Sequence, residues 1–220
     1  MAKPNSPKLR AFLFDLDGTL IDSKLDLVHS VNFMLNALGR VTLPVDLVAS
    51  YVGHGAPRLI ASALGLEADE LTRMRALEIF LEHYNNHNLD ATRPYPGVVE
   101  GLEALKKHPM AILTNKPLKM SVQILEGLGL KKYFQAIYGG DSFDSKKPDP
   151  DGAQTILREL QVSPEEAAMV GDSDVDIQTA RNAGLFAIGV NYGFGQHDRN
   201  AQPADVYVDS IEELTTLASS

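Results

Sequence analysis

The chain has 220 residues and a formal net charge of −9, and 44% of its residues are hydrophobic. This length suffices for one large domain, or for one domain that carries a sizeable insertion. The acidic balance and the lack of any basic block argue against a nucleic-acid partner. No apolar run approaches the roughly 18 residues of a membrane-spanning helix, so no membrane contact is expected.

Cysteine is absent, which excludes disulfides and thiolate metal sites. The first ten residues contain prolines and lysines but no apolar stretch, unlike a secretory signal. We therefore expect a cytoplasmic protein. The sequence does not distinguish a monomer from a homodimer.

The most informative segment runs from Phe12 to Leu20, where an apolar run ends in Asp15, Asp17 and Gly18. Its apolar and aromatic residues predict a buried strand. Because side chains alternate along a strand, the two aspartates would project to the same side. Neighbouring buried carboxylates repel each other, and a bound cation would offset that cost. An acidic turn without chemistry is the simpler alternative.

Residues 23–92 have the pattern of a helical block. Apolar residues recur at spacings of three and four, which is typical of amphipathic helices. These spacings predict helices at 28–38, 44–51, 57–64 and 71–84. The following Arg-Pro-Tyr-Pro-Gly at 93–97 predicts a stiff, non-helical connection.

Beyond residue 97, helices alternate with short apolar strands, which are predicted at 110–113, 136–138, 167–170, 186–190 and 206–208. Ser-Pro-Glu-Glu at 163–166 fits a capping box at a helix start. This alternation predicts an α/β fold, a doubly wound parallel sheet that includes the first strand. The expected domains are a core of residues 1–22 and 93–220 and an all-helical cap of residues 23–92, inserted after strand 1.

In such sheets, ligands bind beyond the carboxyl ends of the strands. Polar clusters follow the apolar runs at that edge. They are Thr114-Asn115-Lys116 after 110–113, Lys146 and Lys147 in the loop after 136–138, and Gly-Asp-Ser-Asp-Val-Asp at 171–176 after 167–170. Gly193 and Gly195 are interpreted as turn glycines.

Each cluster has both a structural and a functional interpretation. Thr114 or Asn115 either caps the next helix or, with backbone N–H groups, binds a phosphate. One of the two lysines either neutralises a phosphoryl group or is an ordinary surface lysine. The acids Asp172, Asp174 and Asp176 either hold Mg²⁺, which prefers oxygen ligands, or belong to a helix start that Asp172 or Ser173 caps and whose dipole favours acids in the first turn. The aspartate pair at the first strand favours the functional interpretation of the Thr-Asn cluster and of the acidic cluster, while both interpretations of the lysines stay open at this point.

Four of these clusters, in order, resemble the four motifs of the haloacid dehalogenase-like hydrolases. They are Asp15-Leu16-Asp17-Gly18-Thr19, Thr114-Asn115, Lys147-Pro148 and the acidic run 171–176. The resemblance covers nearly the whole chain. Finer features, including Tyr95-Pro96-Gly97 and Gly139-Gly140-Asp141-Ser142, are similar to the phosphoglycolate phosphatase branch of that family.

The resemblance implies a phosphatase that acts through an aspartyl-phosphate. Asp15 would attack phosphorus, and Asp17 would serve as general acid and then general base. The transferring group would be bound by Thr114, Asn115 and Lys147. The family pattern selects Lys147 over Lys146, because the family's lysine directly precedes the proline.

The resemblance also implies Mg²⁺ as the cofactor. Its ligands would be Asp15, the backbone carbonyl of Asp17 and Asp172, with Asp176 in support. The implied partner is a small phosphorylated metabolite, with 2-phosphoglycolate as the first candidate substrate.

Substrate choice is expected to lie in the cap, in the polar segment 53–58. Arg58, together with His54, is predicted to contact the substrate carboxylate, although an exposed arginine without a role is equally expected. Alternatives are another phosphomonoester, pyrophosphate, a β-phosphoglucomutase-like mutase or a weakly active binding module. A phospho-acceptor signalling domain needs no cap, so the helical block favours an enzyme.

Overall fold

The computed structural model describes residues 8–195, 198 and 200–218. The strands in these residues are β1 (Ala11–Phe14), β2 (Ile21–Asp22), β3 (Arg93–Pro94), β4 (Met110–Leu113), β5 (Ala136–Tyr138), β6 (Ala167–Gly171), β7 (Phe186–Val190) and β8 (Val206–Val208). The helices are α1 (Lys24–Ala37), α2 (Val45–Ala49), α3 (Ala56–Leu64), α4 (Glu70–His87), α5 (Val98–Ala104), α6 (Leu118–Gly127), α7 (Asp151–Leu160) and α8 (Asp174–Ala183).

Six of the strands form one parallel sheet in the order β5-β4-β1-β6-β7-β8. Strand β1 is central, with Phe14 opposite Ile112 on one side and Val170 on the other. All four residues of β1 are apolar and buried, as a strand covered on both faces requires. The carboxyl ends of β1, β4 and β6 therefore meet at one edge of the sheet.

The sheet separates two apolar layers. Alternate strand residues, such as Phe12, Phe14 and Ile112, enter one layer, and Leu13 and Met169 enter the other. This alternation follows from the two-residue period of a strand. A rigid core on both faces holds the loops at the carboxyl edge in position.

Helices α1 to α4 form a helical segment, which lies in the chain between β1 and the remaining strands of the sheet. The antiparallel ribbon of β2 and β3 joins its two ends, with Asp22 opposite Arg93. The buried carboxylate of Asp26 in α1 also accepts hydrogen bonds from the backbone N–H groups of Ala91 and Thr92 at 2.9 Å each. The exact domain division at residues 23 and 93 stays a prediction.

The fold class predicted from the sequence is confirmed, and four of the five strands predicted after residue 97 have the predicted bounds, while β6 extends one residue further. One local expectation is only partly confirmed: Ser163 and Pro164 are the N-cap and the first residue of a helical turn, but the side-chain hydrogen bond of a capping box is absent and no α-helix follows. Pro164–Glu166 is a single 3-10 turn that leads directly into β6, and the Ser163 hydroxyl donates to the Glu166 carboxylate.

Among the described residues, no helix is both long and apolar enough to cross a membrane. The cytoplasmic location stays a prediction.

Candidate active site

The chain turns sharply where β1 ends. Gly18 adopts a φ of +81°, a left-handed conformation that favours glycine. A Cβ atom at Gly18 would lie 2.0 Å from Oδ2 of Asp172, which follows β6. The glycine therefore allows the backbone after β1 to approach the Asp172 carboxylate directly.

Asp15 lies at the end of β1, where its backbone N–H donates to Val170 at 2.9 Å. Its carboxylate is 2.9 Å from Nζ of Lys147, which also lies 2.6 Å from Asp176. Burial raises the pKa of Asp15 from 3.8 to about 6, and the nearby lysine opposes that rise. The structure thus brings the expected nucleophile and Lys147 into direct contact, whereas Lys146 is exposed.

Asp172 is buried and accepts hydrogen bonds at Oδ2 from the backbone N–H groups of Phe194 and Gly195, at 3.0 and 2.6 Å. Burial, together with the charges of Asp176 and Asp15, raises its pKa well above the usual value. Such carboxylates are costly to ionise without a compensating cation.

Three buried carboxylates, those of Asp15, Asp172 and Asp176, offer oxygen atoms that lie within 4.8 Å of one another. Oxygen ligands of this type, at the mouth of a buried site, suit a hard divalent cation. The residues present therefore fit a divalent metal, which would also relieve the repulsion among the three acids.

Asp176 has a second task at the start of α8. Its carboxylate accepts from the backbone and the hydroxyl of Ser173, at 3.1 and 2.6 Å, in a capping box. The helix-capping role of Asp176 is thus observed, and its role in the chemistry of the site stays a prediction. Asp174, grouped with the other acids in the sequence, instead accepts from the backbone N–H of Asp198.

Asp17 lies in a separate network. The hydroxyl of Ser23 donates to Asp17, and Nζ of Lys116 lies 2.9 Å from both carboxylate oxygens. The same Nζ lies 2.6 Å from the hydroxyl of Tyr84 in α4. Asp17 is therefore held by one residue that precedes the helical segment and one residue that follows β4.

Thr114 and Asn115 follow β4, as predicted. Thr114 lines the cavity described below, and its hydroxyl accepts from the backbone N–H of Lys116 at 3.3 Å. The Asn115 amide donates to the carbonyls of Gly53 and Lys147, at 2.9 and 3.0 Å. Its side chain therefore connects three loops, and a phosphate contact of Asn115 stays a prediction.

A cavity opens between the helical segment and the carboxyl edge of the sheet. Its floor includes Asp15, Asp17 and Thr114. Its walls are largely apolar, with Leu27 and Phe80 from the helical segment among them. The arrangement suits a small ligand with a charged end at the sheet and a short organic part beneath the helices.

The family model of the haloacid dehalogenase-like hydrolases matches residues 12–190. The chain belongs to this family.

Two relatives that are named as phosphatases are similar to this chain over nearly their full length. A phosphoglycolate phosphatase of Chromobacterium violaceum is 39% identical over 219 residues, which cover 97% of this chain and 98% of the relative. One from Vibrio parahaemolyticus is 38% identical, with 96% of both chains covered. This haloacid dehalogenase-like protein is therefore a phosphatase, and its substrate is a small phosphorylated molecule.

Solved structures agree with the fold. The structure of a predicted phosphoglycolate phosphatase from Haemophilus somnus has a TM-score of 0.89 and 30% identity, with 95% of this chain and 97% of that chain covered. CbbY from Rhodobacter sphaeroides, solved in complex with phosphate, has a TM-score of 0.79 and 26% identity, with 94% and 96% covered. Phosphatases of this family generally use a divalent metal, which the three buried carboxylates fit.

The predicted substrate ligands of the cap lie at the margin of this hydrolase's site. Arg58 and His54 are both exposed, and neither lines the cavity. Partial burial and the nearby charge of Arg58 lower the pKa of His54, and Asp176 acts in the opposite direction. Their role as carboxylate ligands stays a prediction.

Two features of the site escaped the sequence analysis. Lys116 belongs to the polar cluster that follows 110–113, but the sequence assigns it no role of its own. The segment 193–195 was interpreted only as a turn, yet its backbone holds Asp172, and a Cβ at Gly193 would lie 2.3 Å from that residue's own Cβ.

Proposed function

We propose that this phosphatase hydrolyses 2-phosphoglycolate to glycolate and phosphate, with Mg²⁺ as cofactor and Asp15 as nucleophile. The observation that carries the chemistry is the buried contact of Asp15 with Lys147 beside the three-carboxylate cluster. The substrate assignment is supported by relatives 36–39% identical that are named phosphoglycolate phosphatases. Their similarity extends over 90% or more of this chain.

The reaction takes two displacements at phosphorus. A carboxylate oxygen of Asp15 attacks the phosphorus atom, the bond to glycolate breaks, and Asp17 donates a proton to the departing oxygen. Water then attacks the aspartyl-phosphate, Asp17 accepts its proton, and Asp15 is regenerated with release of phosphate. Lys147 and the Thr114 hydroxyl stabilise the negative charge on the transferring group.

The proposed metal ligands are Asp15, Asp172 and the backbone carbonyl of Asp17, with Asp176 in support through its contact with Lys147. When bound, Mg²⁺ would neutralise the phosphoryl oxygens and so reduce their repulsion of the Asp15 carboxylate.

Phosphate release from a panel of phosphomonoesters, with Mg²⁺ and with EDTA, tests this proposal. The panel contains 2-phosphoglycolate, hexose phosphates, pyrophosphate and a pentulose bisphosphate, because a CbbY mutant was solved in complex with xylulose-1,5-bisphosphate. We expect Mg²⁺-dependent preference for 2-phosphoglycolate, lost in Asp15→Asn. Equal turnover of all substrates would overturn the substrate assignment, and full activity of Asp15→Asn would overturn the mechanism.

A further inference from the structure

Lys116 occupies an unusual place in the cavity above Asp15. Within the described part of the chain, it is the one cationic side chain that lines this cavity, whose walls are otherwise largely apolar. Its side chain is only 3% exposed. Burying an ammonium group costs free energy unless partners stabilise the charge, so the position calls for an explanation.

The contacts of Lys116 fix the direction of its ammonium group. Nζ lies 2.9 Å from both oxygens of Asp17, 2.6 Å from the Tyr84 hydroxyl and 4.5 Å from the centre of the Tyr84 ring. These partners come from opposite sides of the cavity, the sheet edge and helix α4. The charge is thereby held at the boundary between the phosphoryl site and the apolar part of the cavity.

This boundary is where the leaving group must lie. In the proposed reaction, the leaving oxygen contacts Asp17, which protonates it. In 2-phosphoglycolate the carboxylate is attached to the carbon that bears this oxygen. A substrate carboxylate is therefore brought next to Asp17, and next to the ammonium group that Asp17 contacts through both oxygens.

We propose that Lys116 binds the carboxylate of the leaving group and so selects short phosphorylated hydroxy acids. The inference rests on the proposed function and extends it by naming the selecting residue. The apolar walls from Leu27 and Phe80 offer no partners for the hydroxyl groups of a sugar phosphate, which would leave those groups unpaired. Selection thus combines one buried cation for the carboxylate with apolar walls that disfavour leaving groups rich in hydroxyl groups.

The test compares two substrates that differ at one group, 2-phosphoglycolate and 2-hydroxyethyl phosphate. Lys116→Met and the polar Lys116→Gln should lower kcat/KM for 2-phosphoglycolate about 10- to 100-fold more than for the neutral analogue. The comparison of substrates isolates recognition, because loss of the contact with Asp17 affects both reactions. Lys119→Met is the matched control, since Lys119 is exposed on α6 three residues away, and it should leave the ratio unchanged.

Equal losses on both substrates would overturn the inference. It would also be overturned if Arg58→Ala, rather than the Lys116 variants, removed the preference.

A binding measurement tests this inference independently of the proposed function. Calorimetry with Asp15→Asn should show tighter binding of 2-phosphoglycolate than of 2-hydroxyethyl phosphate, and Lys116→Met in that background should abolish the difference. Failure of the wild type to hydrolyse 2-phosphoglycolate would refute the proposed function. The binding comparison would still decide the role of Lys116, and equal affinities in Asp15→Asn would refute it.

Discussion

Nζ of Lys147 lies 2.6 Å from Oδ1 of Asp176, and the side chains of both residues are almost completely buried, at 2% and 0% exposure. Burial alone would lower the pKa of Lys147, but the charges of Asp15 and Asp176 outweigh it and raise the pKa. The lysine is therefore the shared counter-charge of two buried acids, in addition to its proposed contact with the phosphoryl group.

Lys147→Met should cost both stability and activity. It leaves two buried carboxylates without their cation, a loss that typically destabilises a protein by about 3–5 kcal/mol. The free energy of unfolding, measured with urea in EDTA, and phosphate release with Mg²⁺ check this. Lys146→Met removes the same charge from the exposed neighbour and should have little effect, and similar losses in the two variants would contradict the assignment.

Gly18→Ala should impair the metal site. The new Cβ would collide with the Asp172 carboxylate, 2.0 Å away, in addition to the strain of a φ of +81°. Gly39 is a matched control, because it has a φ of +67° and no atom within 4 Å of a built Cβ. Gly39→Ala should lose about 1 kcal/mol of stability through backbone strain alone. Only Gly18→Ala should raise the Mg²⁺ concentration needed for half-maximal activity, and an unchanged requirement would argue against this placement of Asp172.

In the metal-free protein, the free energy of unfolding should depend on the protonation of Asp15. Burial raises its pKa from 3.8 to about 6, so the folded protein binds this proton more tightly than the unfolded chain does. The resulting stabilisation is complete below about pH 4 and is lost as the pH rises through about 6. In EDTA, Asp15→Asn should therefore gain stability relative to the wild type between pH 4.5 and 7.5. Urea unfolding at both pH values measures this, and a constant difference would count against the raised pKa.

Asp26→Asn should destabilise the protein. The Asp26 carboxylate accepts from the backbone N–H groups of Ala91 and Thr92, and from the Thr92 hydroxyl at 2.7 Å. An amide has one accepting oxygen instead of two, so at least one buried donor loses its partner, at a cost of about 1–3 kcal/mol. The exposed Asp46→Asn in α2 is the control. Equal unfolding midpoints for the two variants would show that the Asp26 contacts contribute nothing.

The sequence is sufficient to predict the strands of the sheet and the edge at which the candidate site residues lie. Short apolar runs such as 110–113 are bounded by polar residues, so their ends are visible without a structure. Asp15, Thr114, Lys147 and Asp172 follow such runs or their loops, and the parallel arrangement then brings them together. The difference at 163–166 arises because a local capping pattern cannot show that the chain enters β6 after a single turn.

Side-chain networks across elements could not be read from the sequence. Lys116 contacts Tyr84, which lies 32 positions earlier in the chain, and Asp17, which lies 99 positions earlier. The position of Asn115 likewise predicts a helix cap or a phosphate ligand, whereas in the structure its amide donates to the carbonyls of Gly53 and Lys147. Neither contact follows a local spacing rule, because each depends on how the helical segment sits over the sheet.

The pairing of Asp22 with Arg93 places the two ends of the helical segment side by side. Because the chain leaves and returns at adjacent positions, the length of whatever lies between them does not alter the register of the sheet, and closing a longer loop costs little additional entropy. The ribbon of β2 and β3 is thus a point at which the helical segment could be exchanged for another. A helical segment of different size or lining, spliced at these two residues, would keep the sheet intact, but it would have to reproduce the contact of Tyr84 with Lys116 and that of Gly53 with Asn115 to keep the residues at the sheet edge in place.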